Sequence, residues 1–262
     1  MRLHTKNLSY VVGERSLVDG ISLDMPSGTM TAIIGANGAG KSTLLHLLSG
    51  DIDPSNGSVW YDSEMVPAIP LRRRAQLRAV LDASREPDIT FTVEQVVAMG
   101  RFPHRFDGHT RGDTDNEAIK EAMNDLDLAR LRDRQVRSLS GGEQQRVAIA
   151  RVLAQRSPIV LLDEPTTALD IGHQATVMAQ IEGLRSKGHT VVAVLHDLNL
   201  ATVFDNVVLL QDGSIVASGV PSEVLTSVAL TLAYGHPIDV VAHPAHDGLL
   251  ILPRTTPPPS HP

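Results

Sequence analysis

Residues 35 to 43 read Gly-Ala-Asn-Gly-Ala-Gly-Lys-Ser-Thr, between the apolar run Thr31-Ala32-Ile33-Ile34 and the leucine-rich stretch Leu44-Leu45-His46-Leu47-Leu48. A strand, a glycine loop and a helix in that order form a phosphate cradle of the G-x-x-x-x-G-K-[ST] type, which commits the chain to an α/β fold. Gly35, Gly38 and Gly40 have no Cβ, so with Ala36, Asn37 and Ala39 they can turn successive backbone N–H groups toward β- and γ-phosphates. The helix starting near Lys41 adds its positive end. Lys41 offers a point charge to the phosphate oxygens, and Ser42, with Thr43 beside it, offers a hydroxyl to Mg²⁺.

At 262 residues with 42% hydrophobic content, the chain can bury a full core without staples. A net charge of -7 argues against a nucleic-acid backbone as partner, because no basic stripe would repay counterion release. The one basic run, Arg72-Arg73-Arg74, reads as a solvated helix face. With no cysteine, disulfides, thiolate metal sites and cysteine nucleophiles are excluded. No stretch reaches the ~20 apolar residues of a membrane-spanning helix, and the start lacks a signal-peptide profile, so the product is expected to stay in the cytoplasm.

Short β-rich segments are expected near 3–10, 21–24, 30–34 and 57–62. The texture then changes. Helical spacing marks 93–100 and 113–155, with a polar linker at 101–112, and strand and helix alternate from 159 onward. This order suggests a helical lobe inserted into a mixed-sheet nucleotide-binding core.

Ile159-Val160-Leu161-Leu162-Asp163-Glu164 is a buried-strand run ending in two carboxylates. Asp163 matches a Walker B aspartate that holds the Mg²⁺ shell, and Glu164, on the other side of the strand end, can polarise an attacking water. Further along, Ser140 with Glu143 three residues later forms a capping box, so Leu139-Ser140-Gly141-Gly142-Glu143-Gln144-Gln145 opens a helix whose N-terminus suits an anion.

The phosphate loop, LSGGEQQR, LLDEP, Ala168-Leu169-Asp170 and Val194-Leu195-His196-Asp197 occur in the order and spacing that resemble the nucleotide-binding subunit of ABC transporters, over almost the whole chain. The resemblance implies an α/β fold: a P-loop NTPase core with a mixed sheet, a β-rich N-terminal subdomain and an inserted α-helical subdomain. It implies one nucleotide-binding domain over 1–252, with the helical subdomain at about 84–157, and a proline-rich, disordered tail at 253–262. It also implies ATP and Mg²⁺ as cofactors, and a homodimer in which Ser140, Gly141, Gly142 and Glu143 cap the ATP held by the other copy. In this scheme Glu164 is the catalytic carboxylate, His196 the switch histidine, Asp170 the acid connecting the two sites, and Ser42 and Asp163 the Mg²⁺ ligands. The further partners implied are integral membrane permease subunits and, indirectly, a substrate-binding protein, at the cytoplasmic face of the cell membrane.

Two positions depart from that pattern. Where relatives place an adenine-stacking aromatic, this chain has Val12, and Tyr10 two residues earlier is the candidate substitute. Where relatives place a glutamine after the Arg78-Ala79-Val80-Leu81 strand, this chain has Ala83, which has no amide to reach Mg²⁺ or water. The segment Val96 to His104 resembles ATPases that serve siderophore, cobalamin and haem importers, and the ending from Ala233 to Pro253 is similar to haemin importer ATPases. Haem is therefore the expected cargo, with ferric siderophore or cobalamin as the alternative. His236, His243, His246 and His261 are read as turn residues rather than a haem or metal site. Two other classes stay open: a soluble ABC ATPase acting on DNA or ribosomes, and an idle ATP-binding regulator.

Overall fold

The computed structural model describes residues 1–82, 90–105, 112–244 and 248–254. Ala83, His246 and His261 lie outside the described residues. Strands β1 (Leu3–Val12), β2 (Arg15–Ile21) and β3 (Asp24–Met25) lead into β4 (Met30–Gly35), the phosphate loop and helix α1 (Lys41–Ser49). Next come β5 (Asn56–Tyr61), β6 (Glu64–Met65), α2 (Leu71–Leu77) and β7 (Arg78–Leu81), then the helical lobe of α3 (Val93–Met99), α4 (Asp113–Asp125) and α5 (Gly141–Gln155). The chain returns through β8 (Ile159–Asp163), α6 (Ile171–Ser186), β9 (Thr190–Val194), the single turn α7 (Leu198–Ala201), β10 (Asn206–Gln211) and β11 (Ser214–Gly219). It closes with α8 (Pro221–Val224), α9 (Ser227–Tyr234) and the hairpin β12 (Ile238–Ala242) and β13 (Leu249–Pro253).

The central sheet has the order β11-β10-β4-β9-β8-β7, parallel except for the antiparallel edge strand β11. Strands β4, β8 and β9 are buried at every residue, which is why they read as continuous apolar runs. Their alternation divides the core in two. Met30, Ala32 and Ile34, with Val160 and Leu162, face the helical lobe and the C-terminal segment. Ile33, Ile159, Leu161, Val192 and Val194 face α1 and the N-terminal antiparallel sheet of β2-β1-β5-β6 with β3.

Helical spacing over 113–155, with a new helix opening at Ser140, leaves the end of the first helix unmarked; the structure ends it at Asp125. After α4, Asp127 takes the left-handed conformation at φ 54, the Asp127 amide donates to Asn124 O (3.2 Å) and the Leu128 amide to Met123 O (2.8 Å). This is a Schellman stop with aspartate where glycine is usual, and the buried Leu128 seals it. Short 3₁₀ turns then carry the chain to α5. The segment expected as a strand at 21–24 is instead split between the end of β2 and β3, because β2 carries register shifts opposite Leu8, Tyr10 and Val11 that hide its alternation. The arginine run lies on α2, where Arg72 and Arg73 are exposed and Arg73 pairs with Glu64 at 2.9 Å.

The folded chain also runs past the boundary expected at 252. Pro253 closes β13, and Arg254 pairs with Asp239 while its amide donates to Pro237 O at 2.9 Å. Among the described residues no helix is long and apolar enough to cross a membrane.

Candidate nucleotide site

The phosphate loop turns where β4 ends. At Gly35 a Cβ would stand 2.3 Å from Leu210 O, and at Gly40 it would stand 2.3 Å from Leu17 O, so both positions require glycine. Gly38, at φ 81, faces open space. Helix α1 has no side-chain cap at Gly40, which leaves the first-turn amides available to an anion.

Lys41 is 6% exposed, and its Nζ donates to Gly35 O (2.9 Å) and Ala36 O (3.0 Å). Burial holds its pKa below the usual lysine value, while Glu164 and Asp163 oppose that shift. Asp163 is 2% exposed, and its Oδ1 has no hydrogen-bond partner. Burial raises its carboxyl pKa, partly offset by a hydrogen bond with Ser42. An orphaned buried oxygen beside a serine hydroxyl and a buried lysine suits a hard cation carried on a polyphosphate, so the residues fit Mg²⁺ and a nucleotide triphosphate.

One residue past β8, Glu164 adopts φ 50, a conformation that costs a non-glycine residue about 1 kcal/mol or more. Three bonds hold it there. Its amide donates to Val194 O (3.1 Å), Thr167 Oγ1 donates to Oε2 (3.1 Å), and Oε1 meets His196 Nε2 at 2.6 Å. His196 lies two residues past β9, so the parallel pairing of β8 with β9 delivers both side chains to one end of the sheet. That end also holds the phosphate loop, as the open edge of a doubly wound sheet does for ligands.

At Ser140 the capping box is complete in both directions. Ser140 Oγ accepts from the Glu143 amide (3.3 Å), and the Ser140 amide donates to Glu143 Oε2 (2.8 Å). Those bonds hold the Glu143 carboxyl below its usual pKa. Gly141 faces open space, whereas a Cβ on Gly142 would approach Ala168 O at 3.2 Å. Gln145 Nε2 donates to Glu164 O (3.3 Å) and Pro165 O (3.2 Å), so α5 is tied to the turn that carries Glu164.

Asp170 caps α6, accepting from the His173 amide at 2.8 Å and meeting His173 Nδ1 at 2.9 Å. Its contacts are local, and its side chain stays largely exposed. Tyr10 is half-buried against the N-terminal core, while Val12 is 52% exposed. His236 sits in a bend after α9, and His243 directly follows β12. Gln145, inside the signature string, touches the site's backbone, while Thr167 and Tyr234 touch its carboxylate or backbone without belonging to a short motif. Of the latter two, only Thr167, three residues after Glu164, was within local reach of the pattern.

Residues 18–167 match the family described as ABC transporter. The chain is 44% identical over 253 residues to the hemin import ATP-binding protein HmuV of Rhodococcus jostii, covering 96% of this chain and 86% of the relative. It is 38% identical over 260 residues to the ferric enterobactin transport ATP-binding protein FepC of Escherichia coli K12, covering 98% and 96%. Among solved structures, one described as an inward-facing ABC transporter of metal-chelate type superposes with TM-score 0.81 at 27% identity, covering 97% of each chain. A dimeric bacterial ABC transporter cassette superposes with TM-score 0.75 at 27% identity, covering 84% of this chain and 98% of the cassette.

Proposed function

The chain belongs to the ABC transporter family as an ATP-hydrolysing subunit, and we propose that the importer it drives carries haem. The hydrolytic half of this reading leans on one observation: the 2.6 Å bond between His196 Nε2 and Glu164 Oε1, one residue beyond buried Asp163.

From it the roles follow. The amides of 35–43 and Lys41 hold the β- and γ-phosphates, Lys41 leaving the Gly35 and Ala36 carbonyls to do so. Ser42 and Asp163 would hold Mg²⁺, which neutralises charge on the phosphate oxygens. Glu164 accepts the proton of the attacking water, and His196 fixes the orientation of that carboxylate. The Ser140–Glu143 segment of a second copy closes over the nucleotide, approaching it at the N-terminus of α5, where a Cβ on Gly141 would meet open space. One copy alone is then nearly inactive. ATP binding favours the closed pair, hydrolysis and phosphate release favour the open one, and that difference drives the permease.

A cleft of about 330 Å³ between α2, β7 and the helical lobe supports a membrane partner. Arg78, Met99, Gly100, Phe102, Arg151 and Gln155 line it, and Phe102 is 57% exposed. We read it as the seat of a cytoplasmic element of the permease, which puts this subunit at the cytoplasmic face of the membrane. The cargo rests on the relatives' names, and the FepC likeness keeps a ferric siderophore as the second reading.

The deciding experiment reconstitutes the chain with its permease and binding protein in vesicles. Haem is expected to stimulate ATP turnover and accumulate. Stimulation by a ferric siderophore and not by haem would replace the cargo assignment.

A further inference from the structure

Residues 221–254 lie beyond the segment matched to the family, yet two side-chain connections join them to the site. The first is at Gly35. Ile33 O accepts from the Leu195 amide at 3.0 Å, so Ile33 faces β9, and by the two-residue period Gly35 faces the same way. The β4–β9 pairing stops at Ile33 with Val194, because the chain leaves the sheet toward His196. The Gly35 amide therefore has no strand opposite it; it donates to Tyr234 Oη at 3.0 Å. With its carbonyl accepting from Lys41 Nζ, Gly35 is held on both sides.

The second connection is at Asn199, three residues after His196. Its Nδ2 donates to Ile251 O (3.2 Å), and the Ile251 amide donates to its Oδ1 (2.8 Å). This two-way bond replaces a strand partner for β13. It also fixes α7, whose cap Asp197 accepts from the Asn199 amide at 2.9 Å.

Tyr234 and Ile251 belong to one rigid unit. The Val240 amide donates to Ser227 Oγ (2.9 Å), and the Ile238 amide donates to Thr231 Oγ1 (3.0 Å), stitching the hairpin to α9. Leu230, Ala233, Ile238 and Ile251 are buried in the same apolar cluster as the sheet face beneath them. Burial pushes the Tyr234 hydroxyl pKa up to about 12, so it stays neutral at any working pH.

We propose that α9 and the β12–β13 hairpin form a brace that sets the spacing between the phosphate loop and His196, with Tyr234 and Asn199 as its positioning residues. The proposal rests on the reading that 35–43 binds ATP and that His196 orients Glu164. Tyr234 works on nucleotide binding, through Gly35; Asn199 works on turnover, through α7 and His196.

The test uses the subunit assembled with its permease. Tyr234→Phe removes one hydroxyl and keeps the ring, and is expected to raise KM and the Kd for a fluorescent ATP analogue about threefold to tenfold, with kcat little changed. Asn199→Ala is expected to lower kcat with KM near wild type, and Asn199→Asp, which keeps the acceptor for the Ile251 amide, to lose less. The double variant should combine the raised KM with the lowered kcat, since the two connections leave the brace through different elements. Wild-type ATP affinity in Tyr234→Phe, or variants that lose only melting temperature, would overturn the brace. A wild-type complex that hydrolyses no ATP, or hydrolyses it as fast with Glu164→Gln, would instead remove the underlying site reading and the brace with it.

Discussion

Glu164 keeps a left-handed backbone that a glycine would adopt freely, and its carboxylate is held by His196 and Thr167. Strain of this kind persists where surrounding bonds over-determine it. If the carboxylate is the proton acceptor, Glu164→Gln keeps ATP binding and lowers single-turnover hydrolysis by roughly a hundredfold or more. Unchanged hydrolysis would remove Glu164 from that role. His196→Ala, which frees the carboxylate without deleting it, is expected to lower kcat by a comparable factor while the ATP Kd changes little. At this scale the motif residues were legible in the sequence. Lys41, Asp163 and Glu164 lie within short strings whose chemistry is local. Tyr234 was not legible, since its partner Gly35 is 199 positions away and a tyrosine after an alanine carries no motif. Asp170 caps α6, a local bond that the resemblance did not carry.

Helix ends decide where the elements stop, and they carry the second set of expectations. Ser140→Ala removes the α5 cap and is expected to lower stability by about 1 kcal/mol, measured by denaturant unfolding. Its larger effect should be loss of ATP-dependent pairing. The Glu143 half of the cap has a defined pH sense. Its folded pKa is depressed by the Ser140 bonds, so its contribution is present above the unfolded glutamate value and fades as pH falls through the depressed one. At the α4 stop, Asp127→Gly relieves a left-handed aspartate and is expected to stabilise the chain by up to about 1 kcal/mol, whereas Asp127→Val destabilises it. A lower melting temperature for the glycine variant would contradict that. This stop was invisible in the sequence because aspartate stood in the glycine position. Strand β2 was lost for a different reason, its bulges having broken the alternation that reveals a half-buried strand. Strands β4, β8 and β9 were plain, because burial on both faces leaves an unbroken apolar run.

Across the whole molecule, the sheet collects the phosphate loop, Asp163 with Glu164, and His196 at one end, and the helical lobe holds the capped α5 on which the proposed pairing depends. Ala83 bears on this scale as well, since the glutamine expected there has an amide that could join the proposed permease contact to the site and alanine has none. Ala83→Gln is expected to raise permease-stimulated turnover with little change in the isolated subunit; an unchanged stimulated rate would show that the link does not need the amide. The order of strands and lobe was legible from the succession of β-rich, helical and alternating segments, whereas the C-terminal unit was not, because its bonds join side chains to backbone across the fold.

Sedimentation of the Glu164→Gln chain with and without ATP and Mg²⁺ tests the shared site most directly. A nucleotide-dependent dimer that disappears when Ser140→Ala is added to the same chain is the expected result. A chain that binds ATP at saturation and still sediments as a monomer would contradict it.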